Sequence, residues 1–401
     1  MSGIGGIMDI ENYCVDVDRL NKMRLALSLR GRRRSTAFLS GSVGMFFNSS
    51  SPYAFTDTED RQPNICERRG HSYALCIDSD ELDSSSVLEK YLVHGVDFLG
   101  ALDLPFALSL YDGERNMLLL ARDKKGRKPL FYRFDGNNIL FSSEVKGITG
   151  AHGGYVHVDR DRLSSHLTSP MGIYGASDIY TDIRQVLPGE CILFTRMGMS
   201  RFFYRDIRER TAFKGKNSLK SITVIKPYPI FDSQLLWDTL SEALIAFDYP
   251  QFDSYMPSLC LSLSEAQKKG KNILLFEDCT RRKNISYAFE REDRLGNLYG
   301  VRATGVLSKE QWEDPYLASV KNELCGRLST LGNSHRALLQ GILGVSRFDS
   351  LCRKLERTAQ KNEEAEESIR ILGMLLQTVD WASANRLLIK DEGRAVCYDY
   401  F

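Results

Sequence analysis

Short apolar bursts separated by polar turns fill the first half of the chain: YALCI, FALSLYD, NMLLLARD, PLFYRF, NILFSS and GECILF. Bursts of this length bounded by Gly, Asp and Asn read as β-strands. Two of the boundaries, YDGERN and FDGNN, place Asp-Gly between apolar runs, the signature of hairpin turns. The opening MSGIGGIMDI reads as one more strand, with Gly3 to Ile7 expected at the centre of a sheet. Beyond residue 220 the period changes. SQLLWDTLSEALIAF, SLCLSLSEAQKK and EESIRILGMLLQTVDW carry apolar residues at helical spacing, with one strand-like run, NILLF. Between the zones, RDIRERTAFKGKNSLK is polar and basic without an apolar period, as a linker would be. The expected organisation is a sheet-rich domain over residues 1–206, a linker at 207–220 and a mainly helical domain over 221–401.

Composition narrows the class without naming a chemistry. A chain of 401 residues with 43% hydrophobic content can bury large cores and is expected to form two domains. Fifty-three basic residues against 52 acidic ones leave a formal charge of +1, so no global field favours nucleic acid or an anionic membrane as partner. Nine cysteines lie scattered without a C-x-x-C pair, and the six histidines show no H-E-x-x-H spacing, so no metal site is expected. The cysteines read as reduced thiols. No basic leader followed by an apolar core opens the sequence, and no apolar run reaches the ~18 residues of a membrane span. A soluble, cytoplasmic protein is the expectation.

Ser2 is the first candidate for chemistry. Residue 2 is small enough that removal of Met1 is expected, which would set a serine hydroxyl beside a free α-amine. An α-amine titrates near roughly 7.7–8.0 and can act as base to its own side chain, the logic of N-terminal nucleophile hydrolases. These residues alone leave the plainer reading open: a processed start leading into a buried strand.

Residues 98–148 read FLGALDLPFALSLYDGERNMLLLARDKKGRKPLFYRFDGNNILFSSEVKGI. As pattern this is a meander of antiparallel strands, with Gly126 in a tight turn and Pro129 opening a strand. The stretch closely resembles the glutaminase domain of the glutamine-hydrolysing asparagine synthetases, whose segment runs F-A-F-A-L-Y-D, then R-D-x-x-G-x-K-P-L-Y-Y, then S-E-x-K-A-L. LRGRRRS falls where that family has H-R-G-P-D, RQPN where it has Q-P-L, and QVLPGECILF where it has L-P-P-G-x-x-L. The resemblance thus covers residues 1–206. It implies an α+β chain whose first domain is a four-layer αββα N-terminal nucleophile sandwich of antiparallel sheets. In that family residue 2 attacks the glutamine amide, and ammonia passes to a synthetase domain.

Several positions depart from the family pattern. Its nucleophile is Cys, which is partly thiolate at neutral pH, whereas the Ser2 present here needs strong activation. Its oxyanion hole is an Asn-Gly pair at a strand end, and the matching strand end here, YALCIDSDEL, supplies Asp78 and Ser79. Losing one oxyanion donor costs about 2.7–4 kcal/mol, and an ionised Asp78 would repel the developing charge as well. The Arg that clamps the substrate carboxylate is replaced by Ser51 or Pro52 of SPYAFTD. Arg30 and Gly31 match the family's R-G, and Asp83, counted back from VLEKYLVHG, falls on the aspartate that holds the substrate ammonium. An amine-binding remnant is implied.

The second domain resembles the synthetase domain more faintly, as a truncated α/β member. AFDYPQFDSYMPSLCLSLSEAQKKGKNILLFEDCTRRKNISY follows the order of a family segment containing D-E-P and L-S-G-E-G-A-D-E-L-F-G-G-Y. The S-G-G-x-D-S loop that cradles pyrophosphate has no counterpart. The interval from Tyr204 to Asp248 looks too short for the strand-loop-helix units that should precede DYP, so the nucleotide-binding core is expected to be deleted. Arg281 and Arg282 fall on the acidic pair near the metal-triphosphate, where two guanidiniums would repel Mg²⁺. No ATP-binding residue, metal ligand or cofactor is therefore expected, although the family uses ATP and Mg²⁺. The expectation is a pseudoenzyme homologue acting as partner or scaffold in an amide-forming step of polysaccharide or peptide biosynthesis, with a homodimer or a pathway enzyme as partner. Two alternatives stand beside it: a Ser-dependent N-terminal amidohydrolase, and a sensor binding glutamine or a related amino acid.

Overall fold

In the computed structural model the described residues are 2–11, 14–31, 34–49, 62–153, 155–168, 179–204, 224–225, 233–252, 256–271, 273–278, 285–307, 324–359, 365–391 and 394–398. The chain divides into two compact units. Unit 1 is Met1–Gly153 with Asp182–Lys220, and unit 2 is Gly154–Thr181 with Ser221–Phe401.

Unit 1 is built on two six-stranded sheets. The first contains β1 (Ser2–Asp9), β2 (Arg34–Ser40), β3 (Val43–Ser49), β8 (Phe131–Phe134), β9 (Asn138–Ser142) and β11 (Arg184–Gln185), in the order β11-β8-β9-β1-β3-β2. The second contains β4 (Asn64–Arg68), β5 (His71–Asp78), β6 (Ala107–Asp112), β7 (Met117–Arg122), β12 (Glu190–Thr195) and β13 (Gly198–Phe203), in the order β13-β12-β7-β6-β5-β4. Every pairing in both sheets is antiparallel. Period-two alternation makes this a sandwich. Ile4, Met8, Met45 and Phe47 of the first sheet share one core with Cys76, Leu118, Ile192 and Phe194 of the second. The other face of the second sheet, through Leu75, Leu108 and Leu119, is covered by Val87, Leu88 and Tyr91 of α2 (Ser84–His94). Helices α1 (Val17–Ala26) and α3 (Val145–Gly150) pack on the first sheet. The layers run α, β, β, α, and β1 lies inside its sheet between β9 and β3, as the apolar opening of the chain predicts. Small residues in that strand are a packing requirement: a Cβ on Gly5 would sit 2.5 Å from the Phe46 ring.

Unit 2 takes its first strand and helix from the middle of the sheet-rich region. β10 (Tyr155–Asp159) pairs parallel with β17 (Arg386–Asp391), which forms a hairpin with β18 (Arg394–Tyr398). After β10, α4 (Arg160–Thr168) buries Leu163, His166 and Leu167 in unit 2. The domain boundary thus differs from a single cut after residue 206, because segment 154–181 leaves unit 1 and returns to it. The expected linker, 207–220, lies outside the described residues. A parallel sheet of β14 (Val224–Ile225), β15 (Ile273–Asp278) and β16 (Arg302–Leu307) is accompanied by α5 (Ser233–Ala246), α6 (Met256–Lys268) and α7 (Ile285–Tyr299). Helices α8 (Asn333–Leu343), α9 (Val345–Ala359) and α10 (Ala365–Ala384) complete a mainly helical body. Among the described residues the interval before Asp248 holds a two-residue strand, β14, and a helix, α5, the latter being the SQLLWDTLSEALIAF run whose spacing reads as helical.

Candidate functional site

One end of the sandwich gathers three of the sequence-predicted residues. Ser2 opens β1 opposite Ser49, and Asp78 closes β5 opposite Ala107, so the two stacked sheets bring their strand ends together. The Ser2 hydroxyl donates to Asp78 Oδ1 at 3.0 Å. Arg30 joins them from the turn after α1. Its Nε donates to the Ser2 carbonyl at 3.0 Å, its Nη2 to Asp78 Oδ2 at 2.8 Å and its Nη1 to Glu144 Oε1 at 3.2 Å. Arg30 and Asp78 are fully buried, and Ser2 is 7% exposed.

Local sequence explains how Arg30 is aimed. Asn48 of β3 donates through Nδ2 to the carbonyls of Arg24 and Leu27, tying the end of α1 to the sheet. Gly31 then turns with φ +85°, and a Cβ there would lie 2.2 Å from the Asn48 carbonyl carbon. Only glycine permits this approach.

Two further members, Glu144 and Lys128, were not singled out from sequence. Lys128 Nζ lies 3.6 Å from Asp78 Oδ1 and 3.3 Å from Asp80 Oδ2. The RDKKGRK run that carries it forms its own cage. The Asp123 carboxylate accepts from the backbone N–H groups of Lys125, Arg127 and Lys128, and Arg122 donates to the carbonyls of Gly126 and Val186. Glu144 follows β9, and Lys146 Nζ lies 2.7 Å from its Oε2. Both lie in the family-like RDKKGRKP and SEVK segments, which was the available signal. Partners such as Asp80 and Arg30, 48 and 114 positions away, leave no local pattern.

The remaining predicted residues sit elsewhere. Ser79 folds back on its own loop, donating to the Pro105 carbonyl and accepting from the N–H groups of Glu81 and Leu82. Asp83 is the N-cap of α2, with Oδ2 accepting from the backbone N–H and hydroxyl of Ser86, and no bond of the cluster involves it. Gln62 of the RQPN run accepts from the Ile77 N–H, one residue before Asp78. Ser51, Pro52, Arg281 and Arg282 lie outside the described residues.

A tetrahedral intermediate on Ser2 needs hydrogen-bond donors at its oxyanion, and the side chain bonded to the Ser2 hydroxyl is a carboxylate acceptor. That carboxylate is gripped by two cations, so a proton taken from Ser2 would cost both ion pairs. Cys76, two residues upstream, offers no substitute nucleophile, because burial pushes its thiol far up. A phosphate cradle in unit 2 would require backbone N–H donors between β14 and α5. That connection reads KPYPIFD, in which Pro227 and Pro229 have no N–H and no glycine occurs. Among the described residues no group of three or more His, Cys, Asp or Glu could hold a metal ion, and no helix is long and apolar enough to cross a membrane.

Residues 77–205 match the glutamine amidotransferase domain family. The chain is 27% identical over 229 residues to asparagine synthetase [glutamine-hydrolyzing] 3 of Bacillus subtilis, a match covering 52% of this chain and 37% of that relative. A putative asparagine synthetase [glutamine-hydrolyzing] 2 of Methanocaldococcus jannaschii is 35% identical over 66 residues, 16% of this chain and 13% of the relative. The matched regions therefore span well under half the length of these relatives. Among solved structures, the glutamine phosphoribosylpyrophosphate amidotransferase of B. subtilis aligns with a TM-score of 0.37 at 13% identity, over 77% of this chain and 67% of that one. Residues 77–205 thus match a glutamine amidotransferase domain, and over about half its length this chain is similar to a glutamine-hydrolysing asparagine synthetase.

Proposed function

We propose that this homologue has neither glutaminase nor ATP-dependent synthetase chemistry and serves as a cytoplasmic partner or scaffold in an amide-forming biosynthetic step. The observation that carries the reading is Asp78: a buried carboxylate accepts a hydrogen bond from the nucleophile-position hydroxyl where an oxyanion would need a donor. The Pro-containing β14–α5 connection supports the loss of ATP chemistry. The described cysteines are free thiols, in keeping with a reducing compartment.

The test replaces the nucleophile and leaves the carboxylate. Ser2→Cys supplies the thiol that the family uses, and the expected outcome is no ammonia release from glutamine above the Ser2→Ala baseline. Glutamine-dependent ammonia release by Ser2→Cys would show that Asp78 is no obstacle and would overturn the reading.

A further inference from the structure

We infer that the outer edge of β13 is a docking surface for the same strand of a second copy of this chain, the two strands pairing antiparallel about Ser200. The inference stands apart from the chemistry at Ser2.

β13 ends its sheet, with β12 as its one neighbour among the described strands. Across that pair the Tyr204 N–H donates to the Gly189 carbonyl at 3.1 Å. Alternation along an antiparallel ladder then turns the backbone groups of Met199, Arg201 and Phe203 away from β12. Their side chains lie opposite Phe194, Ile192 and Glu190, on the face that carries the core between the sheets. At this margin the face is open: Phe203 is 62% exposed, Met199 36%, and Met197 at the hairpin tip 99%.

The other edges of unit 1 are short, tied down or charged, the usual protections of an edge strand. β11 has two residues. In β2 the Thr36 hydroxyl donates to the Gln62 carbonyl. β4 carries Glu67 and Arg68, and its Asn64 and Arg68 side chains donate to Ser85 and Leu92 of α2. β13, GMSRFF, has neither Lys nor Pro, and its single charge is met within the chain, Arg201 Nη2 lying 2.6 Å from Glu190 Oε1.

The charge pattern selects the occupant. An acidic partner would have to compete with Glu190 for Arg201, whereas a second β13 brings its own Glu190 and adds no net charge to the edge. The register follows from the same arginine. Pairing about Arg201 sets two guanidiniums directly opposite, which is unfavourable, and pairing about Met199 or Phe202 overlaps only part of the strand. Pairing about Ser200 sets Met199 opposite Arg201 of the other copy, so the two residues with outward backbone groups exchange hydrogen bonds. It also brings Met197 to Phe203 of the other copy, a sulfur–aromatic contact.

The experiment is sedimentation velocity of the full chain across the micromolar range. Wild type is expected to pass from monomer to dimer as concentration rises. Met199→Lys sets a like charge opposite Arg201 in both halves of the pair and should weaken the dimer about tenfold. Met199→Glu offers Arg201 a carboxylate and should hold the wild-type affinity or exceed it. Ser200→Cys checks the register, because Ser200 meets itself in a non-hydrogen-bonded pair, where Cα atoms ~4.5 Å apart suit a disulfide. After mild oxidation, peptide mass mapping should find position 200 linked to position 200 of a second chain. Should Met199→Lys not fold, this mapping carries the test alone. A monomer at every concentration, a Met199→Lys dimer as tight as wild type, equal losses in the Lys and Glu variants, or a position-200 thiol joined only to other cysteines would overturn the inference. A wild-type glutaminase activity would defeat the proposed function and leave these results standing.

Discussion

Arg30→Met tests how much of unit 1 depends on the charge chain. The substitution keeps an unbranched apolar stem and removes the guanidinium. At least three bonds are lost, to the Ser2 carbonyl, Asp78 and Glu144. Both carboxylates keep one cation, Lys128 at 3.6 Å and Lys146 at 2.7 Å, so the loss falls short of two isolated buried charges. Removing one partner of a buried ion pair costs ~3–5 kcal/mol. With Tm moving about 2–4 °C per kcal/mol for a domain of 150–250 residues, the expected fall is roughly 6–20 °C. Two units melt in one chain, so a bulk transition mixes them. Hydrogen exchange of β1 and β5 peptides during a temperature series isolates unit 1. Arg30→Lys keeps the charge but not the three-way fork, and should recover only part of the loss. A fall of under ~2 °C for Arg30→Met would mean that the chain of ion pairs contributes little, and would refute the reasoning.

Three further outcomes are expected. Gly31→Ala should cost more than about 2 kcal/mol in urea unfolding, since its φ of +85° and the 2.2 Å approach to Asn48 leave no room for a methyl group; a neutral result would contradict the turn described above. Asp83→Ala should cost ~0.5–2 kcal/mol through loss of the α2 cap, whereas Asp83→Asn should be nearly neutral, and an equal loss in both would show that the charge matters more than the cap. His152 is pushed down to about 4 by burial and by the Arg133 and Arg19 guanidiniums, against the opposing Asp182 and Asp135. The unfolded chain therefore binds this proton first, so the His152 contribution is whole above pH 6.5 and lost as pH falls toward 4; His152→Gln should flatten that slope in denaturant titrations at pH 7.5 and 5, and unchanged slopes would count against it.

Much of unit 1 was legible because its strands are local and alternate cleanly. NMLLLARD and NILFSS became β7 and β9, and both Asp-Gly turns close hairpins. Segment 154–181 was not legible. YVHVD has the look of any strand, and its partner is β17, more than 200 residues along the chain, so nothing nearby signals the exchange between units. The site was legible in part for the same reason. Ser2 and Asp78 stand out as departures at family positions and Arg30 as a match, whereas Lys128 and Glu144, inside the R-D-x-x-G-x-K-P and S-E-x-K segments, show their role only through pairings across the fold. Asp83 shows the converse, a motif position whose carboxylate is spent on the helix that follows it. A count of residues between Tyr204 and Asp248 suggested deletion, yet a two-residue strand and a helix fit there.

The central claim is that a carboxylate beside Ser2 has replaced catalysis. Its most direct test is incubation of the purified full chain with glutamine labelled with ¹⁵N at the side-chain amide, with Ser2→Ala in parallel, following labelled ammonium by NMR. The account predicts identical release from both proteins at the rate of buffer alone. Release by wild type that disappears in Ser2→Ala would contradict it.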